Sequence, residues 1–409
     1  MKIQINRSKI IFVIYMIFVL NVTHSIFYSN SARALQIPLA MLGLFYMFVA
    51  DKGFGKIRVK SINEFNAFCT PMIVITMISV YTSIAVYHTT NPSDWKQSII
   101  RCFYYVVPFL TAYYSVRKFR NDTPRLLIIS GLISYSTVFI RYIYYGGIGI
   151  LLHFSNNKVN GISLEVHNLT YCMGLFFLYY LLSDKYDKKF KTKICLILML
   201  GIFFGDKRAL YLGLAVTLLV YFLFHKFKEK RLTLLKIIFS FYIAAAFGYL
   251  ILIKTGVFEA LLYKYGINDM SRLTFWNYFS SAYEISPFYW GRGIAYTDNI
   301  MGATETMREM HVTAATNIHN DILRAYIGWG CLPMLYYLVN FFLLRVNRFI
   351  KDKNEENGWR YFAIASLYLF INFFDNMLSA ENFNLCFFVV YLLLVNDLES
   401  KNDSAEISA

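Results

Sequence analysis

The chain has 409 residues, of which 57% are hydrophobic and 16% charged, outside the usual range for a soluble globular domain. Its formal charge of +15 raises nucleic acid as a partner, but the cations sit in short patches between apolar runs, so no nucleic acid is needed to explain them. The six cysteines stand singly in or beside apolar stretches, with no C-x-x-C and no Cys/His spacing suited to a metal, so buried thiols are expected and no metal or cofactor.

A helix needs about 20 apolar residues to cross the hydrocarbon core, with all its backbone groups paired internally. Lys2, Arg7 and Lys9 before the first apolar run imitate a signal peptide, but hydrophobic runs continue throughout, which favours a retained first helix. Qualifying runs fall near 9–28, 34–50, 66–88, 98–116, 126–145, 165–183, 194–206, 209–224, 237–253, 321–344, 361–377 and 383–396. The two runs flanking Gly205-Asp206-Lys207-Arg208 are short, which leaves open one re-entrant or broken element there. The expected fold is therefore an all-α, polytopic membrane protein with 11–12 transmembrane helices. Nine spans fill 1–253, a large loop occupies 254–320, three spans follow in 321–396, and 397–409 is a polar tail.

Orientation follows from the positive-inside rule. With the N-terminus in the cytoplasm, the inner segments 1–9, 51–60, 117–125, 184–193, 225–236 and 345–360 and the tail hold 27 of the 40 Lys and Arg residues. Both termini are then cytoplasmic and the large loop lies outside, with five cations against six acids. The tryptophans (Trp95, Trp276, Trp290, Trp329, Trp359) fall near span ends or in loops, as interfacial anchoring would place them.

Some arginines sit where that rule does not put them. Arg101, Arg141, Arg208 and Arg324 fall near the outer ends of spans, and Arg33 and Arg272 in outer loops. An intramembrane cation costs roughly 2.5–3.5 kcal/mol on insertion scales, so such residues are functional candidates by default. A guanidinium donates two parallel hydrogen bonds to phosphate oxygens, and a set of them at one leaflet suits a phosphate ligand. Snorkelling to lipid headgroups is the alternative for any one of them.

The run Asn317-Ile318-His319-Asn320-Asp321-Ile322-Leu323-Arg324 stands where the loop returns to the membrane. His319 can take a proton from a hydroxyl near neutral pH, and Asn320 or Asp321 can cap the following helix. Gly328 and Gly330 permit close packing just beyond. His153, His167 and His311 are weaker candidates. Asp375 and Glu381, between the last two spans, face outward in this scheme, free to bind sugar hydroxyls or to pair with an arginine. The chain has no G-x-G-x-x-G, Walker A or D-x-D sequence, which argues against ATP or nucleotide-sugar substrates.

Three stretches in order carry a family likeness: Gly205-Asp206-Lys207-Arg208-Ala209 between two apolar runs; Arg272-Leu273-Thr274-Phe275-Trp276 followed by Ser286-Pro287-Phe288 and Gly291-Arg292-Gly293; and His319-Asn320 followed by Leu323, Gly328 and Gly330. In these the chain resembles the O-antigen polymerase and O-antigen ligase superfamily of bacterial inner membranes, with Lys207 where that family usually has Ser. The resemblance implies a metal-independent, membrane-embedded glycosyltransferase of GT-C-like architecture, multi-pass in the inner membrane, with its site on the periplasmic side. Its donor would be an undecaprenyl-diphosphate-linked glycan, held by Arg208 and Arg272, with His319 beside the attacking hydroxyl. Arg324, Asn320, Arg292 and Arg141 are accessory candidates, membrane lipid is the surrounding partner, and a chain-length regulator is a possible one. The expected activity is polymerisation of lipid-linked repeats. The nearest rival is ligation of the polymer to lipid A–core, and flipping of lipid-linked oligosaccharide is the less favoured one, since the charged groups cluster on one side.

Overall fold

The computed structural model describes residues 7–21, 30–50, 59–88, 92–147, 158–159, 162–163, 167–205, 207–266, 272–302 and 318–407. Among the described residues the regular structure is helical apart from one hairpin, in which β1 (Lys158–Val159) pairs antiparallel with β2 (Ile162–Ser163). The helices are α1 (Arg7–Asn21), α2 (Asn30–Ala50), α3 (Val59–Ala85), α4 (Pro92–Phe119), α5 (Thr123–Gly146), α6 (His167–Leu182), α7 (Lys188–Gly205), α8 (Arg208–Lys226) and α9 (Arg231–Lys254). They continue as α10 (Val257–Lys264), α11 (Arg272–Ser280), α12 (Tyr296–Gly302), α13 (Asp321–Trp329), α14 (Cys331–Leu338), α15 (Arg345–Lys351), α16 (Glu355–Asn372) and α17 (Glu381–Ile407).

Within the described residues each expected apolar run lies mainly on helix, with 86–88 and 373–377 past helix ends; 22–28, 165–166 and 206 lie outside the described residues. Among the described residues four helical stretches are long and apolar enough to cross a membrane: Asn63–Ala85, Trp95–Thr137, Arg208–Lys226 and Lys228–Lys254. Pro38–Val49, Asn168–Leu182 and Glu381–Asn396 are shorter apolar helices. The chain divides into two compact units. The first comprises Met1–Ile57, Val106–Ala215 and Ala380–Ala409; the second comprises Arg58–Tyr105 and Val216–Ser379.

In the first unit α6 packs on α7 and α17, and α1 on α5. Small residues make the close approaches. A Cβ on Gly205 would lie 2.2 Å from Thr170 Oγ1, and one on Gly201 would lie 2.2 Å from Met173 Sδ. That is how apolar helices associate where lipid removes the hydrophobic drive. Tyr135 reaches across to donate to Gly201 O at 2.9 Å. Buried Ser115 and Ser130 return their hydroxyl protons to carbonyls four residues back, so these polar side chains are satisfied within their own helices.

In the second unit the apolar run 321–344, expected as one helix, is interrupted. Gly330, at φ 87°, ends α13 and starts α14. A π-helical turn over Val339–Leu344 then leads into α15. Within that turn Asn340 donates to Ala67 O at 2.7 Å, and Tyr361 donates to Phe341 O at 2.6 Å, so the widened turn has external partners. Two ion pairs at the far end, Arg348–Glu64 and Arg231–Glu356, neutralise cations counted above as topology signals.

Segment 254–320, expected as a loop, contains α10, α11 and α12. Its centre is a strap formed by Gly291-Arg292-Gly293, which runs against the α13–α14 break. Arg292 N donates to Ile327 O at 2.7 Å, Gly293 N to Gly328 O at 3.0 Å, and Cys331 N to Tyr289 O at 2.8 Å. A Cβ on Gly291 would meet Gly328 O at 2.5 Å and Gly330 N at 2.6 Å, so the two backbones touch only because glycine is present. Burial pushes the Tyr289 phenol well up, keeping it a neutral donor to Ala282 O and Ile327 O.

Candidate functional site

The second unit gathers a polar cluster where the chain enters α13. Asn320 is extended and its Oδ1 accepts from Leu323 N at 3.0 Å, the N-cap expected at this position. One residue earlier, His319 takes φ 47°, a left-handed backbone that a side-chain-bearing residue adopts at some cost. The chain is held there from outside, because Trp276 of α11 donates from its indole to Ile318 O at 3.0 Å.

His319 Nδ1 lies 3.3 Å from Asp375 Oδ1, and the imidazole side chain is 29% exposed. Asp375 Oδ1 also accepts from Asn376 N at 2.9 Å, so the turn after α16 fixes the carboxylate before it meets the ring. With Nδ1–H donated to the carboxylate, the lone pair falls on Nε2. A half-exposed imidazole held in that tautomer is suited to accept a proton from a hydroxyl.

Beside it lies a charge-balanced group. Arg324 Nη2 is 2.5 Å from Asp321 Oδ1 and donates to Ser379 Oγ at 2.6 Å; its Nη1 is 3.9 Å from Asp298 Oδ1. Arg101 approaches the same Asp298 oxygen at 2.8 Å. The second oxygen of Asp321 accepts from Leu378 N at 2.6 Å. Two guanidinium groups and two carboxylates thus join α4, α12, α13 and the turn after α16. Asp321 is fully buried, where breaking such a pair is costly.

The remaining candidates are placed as follows. Arg272 opens α11, half-buried, one turn before Trp276 and therefore on the same helix face as the indole that touches Ile318. Among the described residues it has no carboxylate partner. Arg292 is taken up by the strap: Nε donates to Ala282 O at 3.1 Å, and the guanidinium lies over Tyr87 at 4.5 Å and Tyr296 at 5.9 Å. Arg208 belongs to the first unit, where it opens α8 with its side chain exposed and, among the described residues, no carboxylate partner; Lys207 before it is buried. Arg141 is on α5, also in the first unit, and its side chain lies outside the described residues. So do Asp206 and the stretch 303–317, with Arg308 and His311, as well as His24, His153 and the side chains of Arg33 and His167.

Three features escaped the sequence. Asp375, weighed as a partner for sugar or for arginine, pairs with the histidine; only a distance in space joins positions 56 apart. Asp298 was one acid among six in the loop, yet it bridges two arginines. Glu381, placed by the sequence on the outer side between the last two spans, is 2% exposed at the start of α17 in the first unit, a burial that its charge does not announce. Among the described residues no group of three His, Cys, Asp or Glu side chains is arranged to hold a metal ion.

A family model described as O-antigen ligase matches residues 194–338, about a third of the chain. The matched stretch runs from α7 to α14 and includes Arg208, Arg272, Arg292, His319, Asn320 and Arg324, but neither Arg141 nor Asp375. No curated protein matches the chain.

Proposed function

We propose, from an O-antigen ligase family domain at residues 194–338, that the chain is a multi-pass inner-membrane glycosyltransferase that polymerises O-antigen repeats carried on undecaprenyl diphosphate. The reading is carried by the His319–Asp375 pair together with Arg272, half-buried one turn before the indole that braces Ile318 and without a carboxylate partner among the described residues. The acceptor hydroxyl oxygen attacks the anomeric carbon of the donor glycan. As that bond forms, the bond from the anomeric carbon to diphosphate breaks, and the hydroxyl proton passes to His319 Nε2. Diphosphate leaves with an extra negative charge, which Arg272 stabilises by forked hydrogen bonds; Arg208 is the second diphosphate cation that the family resemblance implies. Cations of this kind do for the leaving group what a metal does in other transferases, so the reaction runs without one. Arg324 and Arg101, already matched by Asp321 and Asp298, hold the frame. In this reading the chain spans the membrane twelve times in a GT-C-like arrangement, both termini are cytoplasmic, the site is periplasmic, and a chain-length regulator is a further partner.

Ligation to lipid A–core is a second reading, favoured by the description of the matching family model. The two share a donor and differ in acceptor. Deletion of the gene separates them. Loss of a polymerase leaves lipid A–core bearing a single repeat, whereas loss of a ligase leaves lipid A–core bare while lipid-linked polymer accumulates. Complementation with His319→Ala or Arg272→Ala is expected to reproduce the deletion pattern. A full-length ladder from stably expressed variants would overturn the assignment of those residues.

A further inference from the structure

The eight-residue helix α10 turns its acidic group and its apolar groups to different neighbours. Glu259, half-buried, faces α11, where it accepts from Asn277 Nδ2 at 2.8 Å. Phe258 also points inward, its ring 5.1 Å from Tyr249 and 5.5 Å from Trp276. The outward face is apolar. Val257 is 45% exposed and Leu261 39%, and the two rings at the helix end, Tyr263 at 74% and Tyr265 at 68%, are more exposed still. Lys264 is the one cation on this helix, and its ammonium lies over the Tyr265 ring at 5.8 Å.

The position of α10 along the chain says what covers that face. The stretch Lys228–Lys254 is long and apolar enough to cross a membrane, and only Thr255 and Gly256 separate it from α10. Gly256, at φ 74°, turns the chain at once. Three residue steps reach at most about 11 Å, while the headgroup zone on each side of the hydrocarbon is on the order of 5–8 Å deep. Lys254 is tied down by Ser280 O at 2.6 Å and Tyr283 O at 2.8 Å, so the turn is anchored to the loop that carries α11. An apolar face with two tyrosines and a terminal lysine at that depth has the composition of a helix lying in the interface.

We infer that α10 is an interfacial helix whose Val257–Leu261 face and Tyr263 and Tyr265 rings are buried among the lipids of the leaflet in which α9 ends. This contact is independent of the reaction catalysed. Its consequence for the donor rests on the proposed function: through Glu259–Asn277 and Phe258–Trp276, α10 would hold α11, and with it Arg272, at the depth of a lipid-borne diphosphate.

The test uses the full chain in vesicles of phosphatidylethanolamine and phosphatidylglycerol that carry an alkyne-tagged acyl chain. A photo-reactive phenylalanine analogue is placed at Leu261 or Tyr263, with the exposed Glu284 and the α11-facing Glu259 as comparators. Several-fold more lipid label is expected at positions 261 and 263 than at 284, and label within the chain itself at 259. Equal lipid label at 261 and 284, or cross-linking of position 261 to a second polypeptide, overturns the inference. Monodispersity on size exclusion qualifies each variant, and the same probe at Val257 decides the comparison if the 261 variant fails it. Because the readout is a covalent lipid adduct, its failure is distinct from any change in polysaccharide ladders.

Discussion

At the residue scale the central unit is His319, which combines a left-handed backbone with a carboxylate partner. Strain and chemistry can be separated there. Asparagine tolerates φ near 50° better than most residues but cannot accept a proton as imidazole does. His319→Asn is therefore expected to keep the melting temperature of the solubilised protein while lowering glycan transfer by roughly 10²–10⁴-fold, the usual worth of a general base. A variant that transfers at the parental rate removes His319 from the chemistry.

The neighbouring charges make a different prediction. Asp321 and Arg324 are a buried pair at 2.5 Å, and truncating Asp321 leaves the guanidinium with Ser379 and only the longer contact to Asp298. Asp321→Ala is expected to destabilise the fold by about 3–5 kcal/mol, whereas the double change Asp321→Leu with Arg324→Met restores most of the loss, as buried pairs often do when replaced by apolar groups. Thermal unfolding of the detergent-solubilised variants reads this directly; a double variant no more stable than the single one contradicts it. Sequence reasoning could find His319, Asn320 and Arg324 because they lie within six positions of one another. It could not find Asp375 or Asp298, whose roles depend on which side chains meet across the fold.

At the element scale the strap at 291–293 and the break at Gly330 form one joint. Both glycines take positive φ, and each would drive a Cβ into the backbone of the other. The sequence suggested close packing at Gly328 and Gly330, which is where the strap crosses, but 321–344 looked like a single apolar helix. Hydropathy counts side chains and is blind to a glycine that breaks the helix. Because the obstruction is backbone, which cannot rotate away, Gly291→Ala is expected to cost at least about 1–3 kcal/mol. A loss of monodisperse protein or a lowered melting temperature, relative to the exposed comparator Phe288→Ala, would show it. An unaffected Gly291→Ala would mean that the two backbones do not touch as described.

At the scale of the whole molecule, the helices were legible and their grouping was not. Long apolar runs announce helices one by one, since each must satisfy its own backbone in lipid. The two compact units carry no such signal: two of their four boundaries fall within helices, between Tyr105 and Val106 in α4 and between Ala215 and Val216 in α8, where no linker marks them. Side of the membrane is a separate question, and the distribution of cations answers it with a definite expectation. Segments 184–193, 225–236 and 345–360 hold five Lys or Arg residues each, and short loops so charged resist translocation. The 254–320 stretch, with acids slightly in excess, has no such barrier. Alkaline phosphatase fused after position 290 is expected to be active, and fusions after 190, 231 and 355 inactive, with a cytoplasmic reporter giving the opposite pattern. Activity after 231 together with silence after 290 would invert the chain in the membrane. It would also put His319 at the cytoplasmic face, which the proposed transfer from a periplasmic donor does not allow.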